Sequence, residues 1–259
     1  MYFVCECPHH SLNQPHDSLQ HDDNWWFLNT KADTEHHLDN NAILFCVGLR
    51  FGLYLDAGSR TCAGFPGSLD HEAQDVAWMA SIGVDYLWLD GCNLNATLMP
   101  EKYELWSSLL NASGREIPWE VSWPAYTWHR ASGTTAGADP FNQDLWQHSA
   151  SVGHEVRVYN DNRADFTYIL DIAAFAHEAG LARFHQPGGM MFMDMLEVGV
   201  DSLTFLESRA HFGLWVLLAQ PLHLALDIRN SSIFTQDYVD MVTNQEVIAA
   251  SQDPLVKMG

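Results

Sequence analysis

The sequence predicts an α/β protein, a (β/α)8 barrel that lacks its first strand or strands. Three observations carry this. From Leu49 onward, short β-rich runs alternate with amphipathic helical patterns. Several of the runs end in Asp. The length, 259 residues, suits one barrel domain of roughly 250 residues.

The β-rich runs are 49–57, 84–90, 117–123, 155–161, 181–186 and 222–228. Helical patterns lie between them. Ser68 is placed to cap a helix over 70–82, with Gly83 closing it. Pro100 opens a second through residue 110, with Gly114 behind it. A third covers 166–178 and ends at Gly180. A fourth covers 204–219, before Pro221. A fifth covers 236–250, before Pro254. Six βα units in series imply a parallel sheet. No linker or low-complexity tract divides the chain, so residues 21–259 read as one partial barrel and residues 1–20 as an unassigned, disordered leader.

Charge excludes some functions. Lys and Arg number 12 against 33 Asp and Glu, a net charge of −21 with His neutral. Nucleic-acid binding needs clustered cations, and anionic membranes repel such a chain. The 14 His residues would bring the charge to −21 + 14 = −7 if all were protonated, which suits an acidic compartment. No apolar run reaches the ~18 residues of a membrane span, and residues 1–20 carry no signal-peptide pattern. Cys5-x-Cys7-x-His9-His10 fits no structural zinc spacing, so no metal is expected. Three sequons, at Asn95, Asn111 and Asn230, are glycosylation candidates if the protein is secreted. Five cysteines leave at least one thiol free.

In a (β/α)8 barrel, chemistry sits at the C-terminal ends of strands. Here those ends carry Asp56, Asp90, Ser122, Asp161 and Asp227. Carboxylates in such positions are the machinery of glycoside hydrolysis, or caps of the helices that follow. Trp88, Trp123, Tyr126 and Tyr159 offer stacking faces for sugar rings.

Several stretches resemble the family 27 glycoside hydrolases, the eukaryotic α-galactosidases and α-N-acetylgalactosaminidases. Gly52-Leu-Tyr-Leu-Asp-Ala-Gly58 and Thr61-Cys-Ala-Gly-Phe-Pro-Gly67 resemble the third strand and its loop. Asp85-Tyr-Leu-Trp-Leu-Asp-Gly-Cys92 is similar to the fourth strand. Ser122-Trp-Pro-Ala-Tyr126 resembles the substrate-recognition loop, and Arg157-Val-Tyr-Asn-Asp161 the acid/base strand. Pro187-Gly-Gly189, Asp194-Met-Leu196 and Gln252-Asp-Pro-Leu255 follow in the family's order. Asp22-Asp-Asn-Trp25 resembles the end of the second strand, although residues 14–21 carry no β pattern.

The resemblance implies a retaining mechanism. Asp90 would be the nucleophile and Asp161 the acid/base, with carboxyls about 5–5.5 Å apart. Arg157 would bind a sugar hydroxyl. Tyr54, Cys62 and Tyr126 would line the pocket, and Asp22 and Asp23 would hold the 4- and 6-hydroxyls. Cys62 and Cys92 match a family disulfide. No cofactor is implied. The partners implied are terminal α-galactosyl or α-N-acetylgalactosaminyl glycans, in a lysosomal or secreted setting, with a homodimer left open.

The recognition loop points to the sugar. Ser122 and Ala125 match the α-N-acetylgalactosaminidases, whereas the α-galactosidases carry Glu and Leu there. Smaller side chains leave room for a 2-acetamido group. Other positions depart from the family. Trp88 replaces a sugar-contacting Lys, Asn24 and Val121 replace disulfide cysteines, and Met190-Met-Phe-Met193 replaces an acidic run. The family's first strand and its C-terminal β-sandwich are also missing from the chain. The leading expectation is therefore an α-N-acetylgalactosaminidase. An α-galactosidase is the close alternative, and a truncated, inactive sugar-binding homologue is the third.

Overall fold

The computed structural model describes residues 19–22, 25–28, 50–127, 142–200, 202–226 and 234–259. The chain forms two compact units, residues 2–120 and 121–259.

The first unit opens with two strands, β1 (Leu19–Asp22) and β2 (Trp25–Leu28). They pair antiparallel, from Leu19 opposite Leu28 to Asp22 opposite Trp25. The sequence suggests no strand here.

β3 (Gly52–Asp56) and β4 (Tyr86–Asp90) pair parallel, with Tyr54 opposite Trp88 and Asp56 opposite Asp90. Leu53, Tyr54, Leu55, Tyr86, Leu87, Trp88 and Leu89 are all buried. Side chains on both faces are covered, as parallel strands require, so the runs are continuously apolar. The helix Glu72–Ser81 connects them and buries Val76 and Met79. His71, not Ser68, holds its N-cap position. Ser68 instead donates its amide to the Asp56 carbonyl at 2.8 Å. Gly83 takes φ +79° at the helix exit, as expected of a residue without Cβ.

The helix Met99–Ala112 starts with Pro100 in its first turn and buries Tyr103, Trp106 and Leu110. The Tyr103 hydroxyl donates to the Leu89 carbonyl at 3.1 Å and ties the helix to β4. Arg115 then clamps the return of the chain. It donates to the Val84 and Gly83 carbonyls and to the Asp85 carboxylate, at 2.6, 2.9 and 2.6 Å. β5 (Trp119–Val121), at the boundary of the units, is buried throughout. It is shorter than the 117–123 expected, because Trp123–Thr127 forms a helix of its own.

The second unit repeats the pattern. The helix Gln143–Val152, which the sequence pattern does not predict, is capped by the Asn142 side chain on the Asp144 amide. β6 (Glu155–Arg157) follows. The helix Phe166–Glu178 has the expected bounds, with Asp165 capping Thr167 and Tyr168. Residues 181–186 are not a strand. Gly180 is left-handed at φ +63°, and a 3-10 turn, Leu181–Arg183, follows directly. The next strand is β7 (Met190–Phe192), parallel to β6, with Arg157 opposite Phe192. The run Met190-Met-Phe-Met193 is apolar because it is a buried strand and its exit.

The helix Phe205–Leu217 begins with a full capping box between Thr204 and Glu207. The expected strand at 222–228 is reduced, among the described residues, to one parallel bridge between Leu196 and Leu224. The expected helix 236–250 is two helices, Gln236–Val242 and Gln245–Ser251. Asn244 separates them, because its side chain caps the Glu246 and Val247 amides. Among the described residues no helix is long and apolar enough to cross a membrane.

Candidate active site

In the first unit the site is built at the ends of β3 and β4. Side chains two apart on a strand share a face, so Tyr54 and Asp56 on β3, like Trp88 and Asp90 on β4, lie on one side. The Tyr54 hydroxyl donates to Asp90 Oδ2 at 2.7 Å. The Gly91 amide donates to Asp90 Oδ1 at 2.8 Å. Both carboxylate oxygens are held, and Asp90 is still half-buried, within reach of a ligand. The expected Cys62–Cys92 disulfide is present, with Cα atoms 5.2 Å apart. Cys62 Sγ lies 3.3 Å from Asp90 Oδ2.

Asp56, Cys62, Asp90 and Cys92 bring their polar atoms within 4.8 Å of one another. The bridge consumes both thiols, so the thiolates a soft metal would want are not offered. Asp56 is buried, and its oxygens accept the Gly58 and Cys92 amides at 2.7 and 3.0 Å. Burial, and then the charge of Asp90, pushes its carboxyl up to about 8.

In the second unit Arg157 ends β6. Its Nη2 donates to Asp161 Oδ1 at 2.9 Å and to Asp194 Oδ2 at 2.5 Å. Asp194 is buried and also accepts the Asn162 and Met195 amides at 2.6 and 2.8 Å. Burial raises its carboxyl, and Arg157 opposes that shift. Asp194 sits at φ +77°, a left-handed conformation for a residue with a Cβ. The Trp215 indole fixes its carbonyl at 2.7 Å. Asp161, by contrast, has a side chain 90% exposed. One arginine thus links a buried carboxylate to one open to solvent.

Ser122 and Ala125 are buried, and the Ala125 amide donates to the Ser122 carbonyl at 3.0 Å, opening the short helix. Tyr126 is half-buried. Two expected stacking faces are occupied within the chain. Trp123 meets His148 edge-on at 5.0 Å, and Tyr159 packs on Phe175 and Tyr168 at 5.2 and 5.8 Å. Trp88 is buried opposite Tyr54. Asp22 closes β1 in the hairpin register. This is an antiparallel pair and not a parallel barrel strand. Asp23, Asp227 and Asn230 lie outside the described residues, as do Cys5, Cys7, His9 and His10.

Asn95 is exposed after β4, its side-chain Oδ1 accepting the Thr97 amide and hydroxyl at 3.0 Å each. Asn111 is exposed in the last turn of Met99–Ala112. The sequence marks Asp56 only as one of several strand-end carboxylates and gives Asp194 no role. The signal for Asp56 was its place at the end of an apolar strand. For Asp194 it was only the motif Asp194-Met-Leu196.

Parallel βα units with carboxylates at the strand ends define a partial (β/α)8-barrel protein. The chain belongs to the alpha galactosidase A (Melibiase_2) family, whose model matches residues 7–253. It is 36% identical over 218 residues to alpha-galactosidase 3 of Arabidopsis thaliana, covering 82% of this chain and 44% of that protein. It is 34% identical over 212 residues to the alpha-N-acetylgalactosaminidase of Rattus norvegicus, covering 81% of this chain and 48% of that one. The solved α-galactosidase of Saccharomyces cerevisiae superposes with a TM-score of 0.71 at 26% identity, covering 85% of this chain and 50% of the other. The chain spans about half the length of these relatives.

Proposed function

We propose that this chain is the barrel part of a retaining glycosidase that releases terminal α-linked galacto-configured sugars. The observation that carries the reading is Asp90. It is a strand-end carboxylate oriented by Tyr54 on one oxygen and the Gly91 amide on the other, against a disulfide. In this reading Asp90 attacks the anomeric carbon while the glycosidic C–O bond breaks. Asp161 gives its proton to the departing oxygen. Water, deprotonated by Asp161, then attacks the same carbon and releases Asp90. Two inversions leave the α configuration.

The exposure of Asp161 supports its role, because the water it must deprotonate in the second step can reach it, and that water returns the proton given to the leaving oxygen. Arg157, anchored by buried Asp194, is suited to hold a sugar hydroxyl in a fixed place. Tyr54, Cys62 and Tyr126 would line the pocket, with Asp22 and Asp23 gripping the 4- and 6-hydroxyls. A secreted or lysosomal setting and terminal glycans as partners complete the reading. The relatives' names favour α-galactosides. Ser122 and Ala125 favour the second reading, N-acetylgalactosamine, because small side chains leave space at the 2-position.

Proton NMR of aryl α-galactoside hydrolysis tests the mechanism. The α anomer should form first, and a first-formed β anomer would overturn retention. Faster turnover of the N-acetyl analogue would favour the second reading.

A further inference from the structure

Asp56 has no place in the two-carboxylate mechanism, yet it is 1% exposed and sits on β3 directly opposite Asp90 of β4. A buried carboxyl needs a reason, since leaving water costs free energy unless hydrogen bonds offset it. Its partners are backbone amides from two different loops. Oδ1 accepts from Gly58, after β3, and Oδ2 accepts from Cys92, after β4. Two further bonds run beside it. The Ala57 amide donates to the Asp90 carbonyl and the Ser68 amide to the Asp56 carbonyl, both at 2.8 Å.

The two loops approach so closely that side chains are excluded. A Cβ on Gly58 would lie 1.9 Å from the Cys92 carbonyl oxygen, and one on Gly67 would lie 2.1 Å from the Gly58 carbonyl oxygen. Backbone packed on backbone leaves amides that need acceptors. Asp56 supplies two acceptors from one side chain. Asn in its place offers one oxygen and an NH2, which would set a donor against a donor.

We propose that Asp56 is a positioning residue: by accepting the Gly58 and Cys92 amides it fixes the two loops that the Cys62–Cys92 bridge closes, and so fixes where Asp90 points. The inference rests on the reading of Asp90 as nucleophile. Burial and the charge of Asp90 raise the proton affinity of Asp56, and the Gly58 and Cys92 amide bonds oppose that shift. Among the described residues, the charged side chain that acts on it is Asp90. Cys62 and Cys92 are joined and do not titrate.

The test is Asp56→Asn in the full chain, with kcat counted per competent site. Competent sites are those labelled stoichiometrically by an activated galacto-configured fluorosugar. A positioning role predicts that most chains still label, that kcat per labelled site falls about tenfold to hundredfold, and that KM changes little. If instead the labelled fraction falls while kcat per labelled site is unchanged, Asp56 is merely structural and the proposal is overturned. If the variant does not fold, hydrogen exchange on the parent decides. The Gly58 and Cys92 amides should be among the slowest of their unit, and exchange at open-loop rates would overturn the proposal. Asp90→Asn separates the two claims. If that variant stays active, the nucleophile reading fails, whatever Asp56 does.

Discussion

The Tyr54 hydroxyl donates to Asp90 Oδ2 at 2.7 Å, across strands paired so that Tyr54 stands opposite Trp88 and Asp56 opposite Asp90. The contact is diagonal across the sheet, two residues back along β3. It leaves Oδ1 of Asp90 to the Gly91 amide and fixes the plane of the carboxylate.

Tyr54→Phe keeps the ring and removes that bond. A hydrogen bond to a charged group is worth about 1.5–3 kcal/mol, so kcat/KM should fall about tenfold to hundredfold. The melting temperature should hold within a few degrees. Steady-state kinetics with an aryl α-galactoside and a thermal melt read both. Unchanged kinetics would remove Tyr54 from the site.

Asp161→Ala should damage substrates with poor leaving groups far more than activated aryl glycosides, which need little protonation. Azide should rescue turnover and give an α-glycosyl azide. Equal losses on both substrates with no azide product would take the acid/base role from Asp161.

Much of the candidate site in the first unit was legible because chemistry and strand ends coincide. Asp56 and Asp90 each close an apolar run, and parallel strands buried on both faces make such runs continuous. The bridge followed from family resemblance and not from spacing. The candidate residues of the second unit were harder. Arg157 and Asp194 are 37 residues apart, and no local pattern reports their contact. β7 was missed because it is only three residues long, while residues 181–186 offered a β-like run that Gly180 turns into a 3-10 segment. The helix Gln143–Val152 hid because its buried face includes Ser149 and Ala150, which dilute the apolar period.

Ser122→Glu with Ala125→Leu should fill the space proposed for a 2-acetamido group. Selectivity should swing towards α-galactosides by about a hundredfold or more, since steric exclusion exceeds the roughly tenfold effect of one lost hydrogen bond. The ratio of kcat/KM on the two nitrophenyl glycosides measures it. A change under about tenfold would mean that this loop does not set the sugar.

Stability should fall as pH rises from 6.5 to 8. Burial holds the Asp56 and Glu197 carboxyls up at about 8, with Asp90 and Asp194 respectively adding to it. In the unfolded chain both ionise near 4, so in this window the native state binds more protons. Each contributes at most about 1.4 kcal/mol per pH unit. Burial pushes His185 and His211 down to about 4 and about 3, so below 6.5 they oppose the carboxyls. The neutral state of both fits their bonds, as His185 Nδ1 accepts the Met191 amide and His211 Nε2 the Glu197 amide. A climb from pH 8 to 6.5, then a plateau to about 4.5, should appear in melting temperature. Glu197→Gln should flatten the climb. A melting temperature that is flat or rising from 6.5 to 8 would contradict the burial of these groups.

The central claim is that Asp90 forms the covalent bond to the sugar. An activated galacto-configured fluorosugar, whose leaving fluoride needs no acid, should trap that intermediate. Peptide mapping by mass spectrometry should then find one sugar mass on the peptide carrying Asp90 and none after Asp90→Asn. A label on any other residue, or an active enzyme that accumulates no adduct, would contradict the account.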